Sequence, residues 1–153
     1  MSYTRLTAPV PQVWLVQFPV AANQSAGYPV QGTIIPNPES PQYTASVYTV
    51  DSDAVFYIYN VYAPSTTALA GLDGVVKFKV NGVDQNVKFG PLSQTIPSQY
   101  HIQTPPPIVV PPAGRVEIFL VLLTNNGTAA VTVNAVVNVM KSPIGYSGKV
   151  YRP

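Results

Sequence analysis

Seventeen prolines and ten glycines are spread so evenly between short apolar runs that no stretch sustains the 3.6-residue apolar period of an α-helix. The runs themselves are rich in Val, Ile, Tyr, Phe and Thr, side chains suited to a pleated, half-buried surface. This punctuation predicts an all-β chain. The segment "PPPIVVPPAGRVEIFLVLL" (105–123) shows how it works. Proline has no amide hydrogen to give a ladder, so it is confined to strand starts, edges and loops. Two proline clusters and a glycine therefore mark the approach to a long strand over 115–123 and keep that approach from becoming a free sheet edge.

The segment "GVVKFKVNGVDQNVKF" (74–89) predicts a hairpin, because Asn81-Gly82 supplies the two positive-φ positions of a type I′ turn. A simple two-residue turn sets Val80 opposite Val83, Phe78 opposite Gln85 and Val76 opposite Val87 on one face. It sets Lys79 opposite Asp84 and Lys77 opposite Asn86 on the other. Further strands are expected over 13–18, 30–35, 43–50, 54–62, 108–110, 115–123 and 128–140, with a short piece at 99–103. In the last long run Val131, Val133, Ala135, Val137 and Val139 share one face. About eight strands at this spacing predict a single antiparallel β-sandwich over 13–140, with a jelly roll as its natural winding. Residues 1–12 and 141–153 lack alternation and are expected to be N- and C-terminal arms. Their Tyr3, Tyr146 and Tyr151 offer docking contacts.

Charged residues make up only 9% of the chain, against roughly 25% in an ordinary soluble domain. Disorder is excluded as the reason, because 46% of residues are apolar and they are patterned. A membrane-spanning helix is excluded too: the longest greasy run, 118–123, falls far short of the roughly 20 residues required. What remains is a surface that something covers. The net charge of +2 is too small and too dispersed for a general nucleic-acid binder. Arg5, Lys141, Lys149 and Arg152 lie near the ends, while all six acids lie between Glu39 and Glu117. Cysteine is absent, which rules out a disulfide scaffold and a Cys-based zinc site. The start "MSYTRLTAPVPQ" has no apolar signal core, which points to a chain made and assembled inside a cell.

Catalytic constellations are scarce. His101 is the one histidine, too few for a metal-binding barrel or a triad, and it reads as a solvated loop residue. Asp51 and Asp53 read as turn acids bonding their own backbone rather than as a glycosidase pair or a calcium site. Asp73 reads the same way, Asp84 is assigned to Lys79, and Glu117 lies beside Arg115. No catalytic activity, cofactor, metal or small-molecule substrate is expected. The tyrosine excess, ten in all, stands out instead. With Phe56 and Ile58 inward, strict alternation turns Val55, Tyr57, Tyr59 and Val61 outward as a stripe that soluble monomers avoid.

Two segments, "YTVDSDAVFYIYNVYA" (48–63) and "IVVPPAGRVEIFLVLL" (108–123), share one form: an apolar approach, a Pro/Gly/Asp turn, and a strand rising from it. This resembles the repeated halves of single jelly-roll capsid proteins of icosahedral double-stranded DNA viruses, some of which infect thermophilic archaea and bacteria and enclose a membrane. Asp-Ser-Asp stands where Pro-Ala-Gly would be expected in the first half. The resemblance implies a structural virion protein, assembled in the host cytoplasm, which self-assembles into a shell through its outward aromatic faces and terminal arms. Its partners would be further copies and other virion proteins, with Tyr3, Arg5, Tyr146, Lys149, Tyr151 and Arg152 in the arms and the basic ends available to an internal membrane or nucleic acid. The competing expectation is a β-sandwich binding module: a fibre, spike or pilus subunit, or a glycan-binding adhesin using Trp14 or clustered tyrosines as stacking platforms.

Overall fold

A computed structural model describes residues 9–40, 42–64, 71–94 and 106–144. The strands among them are β1 (Val10–Val20), β2 (Pro29–Gln31), β3 (Thr33–Ile35), β4 (Tyr48–Thr49), β5 (Ala54–Tyr62), β6 (Leu72–Val80), β7 (Val83–Phe89), β8 (Ile108–Val110), β9 (Arg115–Asn125) and β10 (Val131–Pro143). The described residues form two antiparallel sheets and no α-helix, only a 3-10 turn at Leu92–Gln94. The first sheet has the order β3-β1-β10-β5-β8. The second has the order β2-β9-β6-β7, with β4 also paired to β9. The described residues make an all-β, two-sheet sandwich.

Its pairing is nested. β6 pairs with β7 across the hairpin, β5 with β8, β2 and β4 with β9, and β1 with β10. Each pair encloses the one before it in sequence, as if one long hairpin had been rolled up. Between the sheets lie Trp14, Phe18, Phe56, Phe78, Ile118 and Leu120, all almost completely buried. A buried side chain of this size contributes about 1.5–3 kcal/mol. The inward positions of β10 (Val133, Ala135, Val137 and Val139) are wholly buried, as the alternation predicts.

Four expectations change. The strand expected over 30–35 divides at Gly32, where the chain leaves β9 of the second sheet for β1 of the first. Gly32 still donates its amide to the Ile118 carbonyl at 2.9 Å. A Cβ there would meet the Phe18 ring at 2.7 Å and Val16 Cγ1 at 2.8 Å, so only glycine fits the crossing. The strand expected over 43–50 shrinks to β4 plus one isolated bridge between Ile34 and Ala45. Residues 10–12 and 141–143, expected in the terminal arms, are ladder residues instead, Val10 facing Lys141 and Pro143 facing Ala54. Ladder pairing tolerates prolines here because Pro11 and Pro19 lie outside the 15–17 stretch that pairs with β3, so at both positions one side of β1 is a sheet edge. The short piece expected at 99–103 lies outside the described residues.

The hairpin is the fourth change. Asn81 and Gly82 have φ of 52° and 79°, as a type I′ turn requires. Val80 faces Val83 and Lys79 faces Asp84 as expected, but beyond that the register slips, and Lys77 faces Lys88 while Val76 faces Phe89. Phe78 and Val76 therefore do not face Gln85 and Val87. The bulge brings Phe89 inward, where its ring meets Phe78 edge-on at 5.8 Å. Burying a second aromatic ring outweighs regular pairing.

Candidate interaction faces

The two segments of similar form, 48–63 and 108–123, come together at one end of the sandwich. The first crosses from the second sheet to the first and the other crosses back. Their turns are bonded side by side: the Val50 amide donates to the Gly114 carbonyl at 3.0 Å, and the Ala113 amide to the Asp51 carbonyl at 3.1 Å. The Gly114 amide donates to the Pro111 carbonyl at 2.9 Å, closing the Pro-Pro-Ala-Gly turn. Gly114 also lies tight against that turn, since a Cβ would stand 2.8 Å from the Pro111 carbonyl oxygen.

Lys141 locks this end. By continuation of the β10 alternation its side chain falls on the inward phase, where it passes over the Phe56 ring at 5.9 Å and reaches Asp51 Oδ2 at 2.6 Å. The hydrogen bond to Asp51, helped by the charges of Asp51 and Asp53, raises the Lys141 pKa above the usual lysine range. Burial beside the same site, and then the Asp51 charge, raise Tyr48 above the usual tyrosine range. Asp51 is thus an ion-pair partner and not a turn acid bonded to its own backbone. The sequence signal was available: a lysine on the inward phase of a buried strand needs an anion.

Three of the other acids, Asp73, Asp84 and Glu117, also have side-chain partners. Asp73 Oδ1 accepts from the amides of Gly74 at 2.9 Å and Ser93 at 3.1 Å, while Oδ2 accepts from the Ser93 hydroxyl at 2.5 Å. Asp84 pairs with Lys77 at 3.3 Å instead of Lys79, because Lys79 lies over the Phe119 ring at 5.2 Å. Glu117 accepts from the Gln31 amide at 3.3 Å. Among the described residues no group of three His, Cys, Asp or Glu side chains could hold a metal ion. His101 lies outside the described residues, as do Tyr3, Arg5, Tyr146, Lys149, Tyr151 and Arg152.

Val55, Tyr57 and Tyr59 stand on the outer side of β5, half-buried or exposed, but Val61 does not join them. A bulge makes Asn60 face Asn138 and Ile58 face Val139, leaving Tyr59 as the extra residue. The bulge inverts the alternation, so Val61 is 1% exposed inside the core and Tyr62 turns outward instead. Trp14 is wholly buried against Tyr48, with ring centroids 5.2 Å apart, and offers no platform for a sugar.

Register assigns the rest of this outer face. One row runs Pro11, Met140, Tyr57 and Val109. Another runs Ile35, Leu15, Val136 and Tyr62. Between them lie Val13, Asn138 and Asn60, and beyond them Thr33, Gln17 and Asn134. No outward ladder residue of the first sheet carries a charge. The second sheet is its opposite: Lys77, Lys79, Lys88, Arg115, Asp73, Asp84 and Glu117 all fall on its outer face. The two outer faces are chemically distinct, which composition alone does not reveal. Comparison with protein-family models and with curated proteins finds no match to this chain.

Proposed function

We propose that this chain is a structural shell subunit of the jelly-roll capsid type, which works by packing against copies of itself and catalyses no reaction. The winding supports this reading. If β2 and β4 count as one interrupted strand and β3 as an excursion from it, eight strands follow one another in the order 1-8-3-6 facing 2-7-4-5, the jelly-roll pattern. The observation that carries the functional part is the uncharged outer face of the first sheet, which spans β3, β1, β10, β5 and β8. Val13, Val109 and Tyr59 stand exposed on it among amides and hydroxyls, and a surface without charge suits packing against protein. Asp51, Asp73, Asp84 and Glu117 are engaged in structural contacts, which agrees with a non-catalytic role.

Sedimentation of the purified protein across a wide concentration range tests the proposal. Concentration-dependent oligomers or closed shells are expected, and deletion of residues 145–153 is expected to weaken assembly more than folding. The cut belongs after β10, because removing Lys141 would break its pair with Asp51. A chain that stays monomeric at high concentration, with and without those residues, overturns the proposal.

A further inference from the structure

We propose that the cleft beside the open edge of β1 is the docking site of the chain's own residues 145–153, which enter it as an added extended segment. The inference goes beyond the shell reading and does not rest on it. β3 pairs with β1 only at residues 15–17, so among the described residues positions 10–13 have no strand partner on that side. Continued in register, residues 37 and 39 would face Val13 and Pro11. They do not, because Pro36 and Pro38 have no amide hydrogen to give a ladder and Asn37 turns the chain aside. Asn37 Oδ1 accepts from the Glu39 amide at 3.2 Å, and its carbonyl accepts from the Ser40 amide at 2.9 Å. A cleft of about 680 Å³ opens where β3 would have run on, between residues 11–13 and 36–39, and Tyr48 and Asp51 complete its wall.

An open strand edge is a row of backbone donors and acceptors, and an extended peptide satisfies it by adding a strand. The cleft also selects by charge. Its charged residues are Glu39 and Asp51, and no lysine or arginine lines it. Lys141 already pairs with Asp51, whereas Glu39 has no cationic partner among the described residues. Residues 145–153, "GYSGKVYRP", carry Lys149 and Arg152 and no acid, so the segment and the cleft are opposite in sign. Within the segment, residues 149–152 are free of glycine and proline, and Val150 and Tyr151 favour an extended strand. Tyr151 adds a ring for the proline and Tyr48 surfaces of the cleft.

Position and length agree. β10 carries the chain to the same end of the sandwich, where Lys141 faces Val10. There the Ile144 amide donates to the Asp53 carbonyl at 2.8 Å, two residues beyond cleft-lining Asp51. A strand added outside β1 lies two spacings from β10, about 10 Å across the sheet. Lys149 is five residues past Ile144, a reach of up to about 17 Å. Residues 1–8 suit the edge less well. To lie along 10–13 they would have to reverse at Ala8-Pro9, and the fixed negative φ of proline does not fit a two-residue hairpin turn.

The absence of cysteine makes the test direct. In the full chain, Val13→Cys combined with Val150→Cys is treated with a short bismaleimide cross-linker. Leu123→Cys combined with Val150→Cys is the control: Val13 and Leu123 are 42% and 48% exposed, but only Val13 lines the cleft. Near-UV circular dichroism checks that each variant folds. A bridge within one chain is expected for the Val13 pair, formed at least tenfold faster than in the control and at a rate independent of protein concentration. Glu39→Lys is expected to slow that bridge at least threefold, and adding Lys149→Glu and Arg152→Glu is expected to recover it. A Val13 pair that links no faster than the control in a folded chain overturns the inference. Linkage found only between chains gives the cleft to a second copy and overturns it too. So does a Tyr3→Cys and Val13→Cys pair that links faster than the Val13 and Val150 pair, which gives the cleft to residues 1–8. The readout is a bond within one chain, so a protein that sediments as a monomer overturns the shell proposal and leaves this inference standing.

Discussion

Asn81 and Arg115 are joined by two hydrogen bonds: the Arg115 amide donates to Asn81 Oδ1 at 2.9 Å, and the Asn81 amide donates to the Arg115 carbonyl at 2.8 Å. One residue thus forms the hairpin turn between β6 and β7 and anchors the start of β9. Its backbone is left-handed, with φ of 52°, which asparagine tolerates better than most side chains. Asn81→Gly keeps that conformation and loses the acceptor. Asn81→Ala loses both. The alanine variant is expected to cost about 1–2 kcal/mol and the glycine variant about half as much, read from urea midpoints at unchanged m-value. Equal costs would show that backbone conformation contributes nothing here.

Gly32 sets the crossing between sheets, with the Phe18 ring and Val16 closing on the position where a Cβ would sit. Gly32→Ala is expected to destabilise by about 1–3 kcal/mol, the usual penalty for overpacking a core that cannot yield. Phe18→Leu in the same chain is expected to recover part of that loss, because it removes ring atoms from the contact. Thermal or urea unfolding of the two single variants and the double variant measures the coupling. Purely additive costs would mean that the ring is not what excludes the methyl group.

The bulge in β5 makes neighbouring positions respond in opposite ways. Val61→Asp places a charge in the core, at a site 1% exposed, and is expected to abolish cooperative folding. Tyr59→Asp, at 41% exposure, is expected to change stability by about 0.5 kcal/mol or less. Unbroken alternation from Val55 predicts that both are tolerated, so near-UV circular dichroism of the two variants separates the bulged strand from a regular one.

Much of the sandwich was legible because its signals are local. Proline and glycine placed the boundaries of β5 and β8 as the structure has them, and Asn81-Gly82 gave the turn. The misses were all non-local. Whether Tyr59 is looped out depends on β10 across the sheet, and whether Val87 or Phe89 faces Val76 depends on which ring the core can bury. Gly32 looks like any glycine within a strand until Phe18 is known to lie beneath it. The difference between the outer faces was missed for another reason: it becomes visible only when charges are sorted by sheet, and sheet membership follows from pairing across most of the chain. The Lys141–Asp51 pair joins residues 90 positions apart, and only the inward phase of Lys141 announced it.

That pair also gives the fold a pH dependence in the alkaline range. The folded state raises the pKa of Lys141, chiefly through its hydrogen bond to Asp51, and that of Tyr48, chiefly through burial. A raised folded pKa means that the native state holds its proton after the unfolded chain has released it. Both contributions are therefore complete below the unfolded values, about pH 10, and are lost as pH rises through the folded ones. Unfolding free energy is expected to stay level between pH 7 and 9 as far as these two groups are concerned and to fall above about pH 10. Lys141→Met removes the lysine share and leaves the tyrosine share, while Tyr48→Phe does the reverse, so each variant is expected to show a shallower alkaline decline than the wild type. At neutral pH Lys141→Met is expected to cost about 1 kcal/mol or less from the lost ion pair, since half-exposed pairs contribute little. Urea titrations at closely spaced pH values measure all three curves, and a variant whose decline matches the wild type's would show that its residue does not carry the linkage.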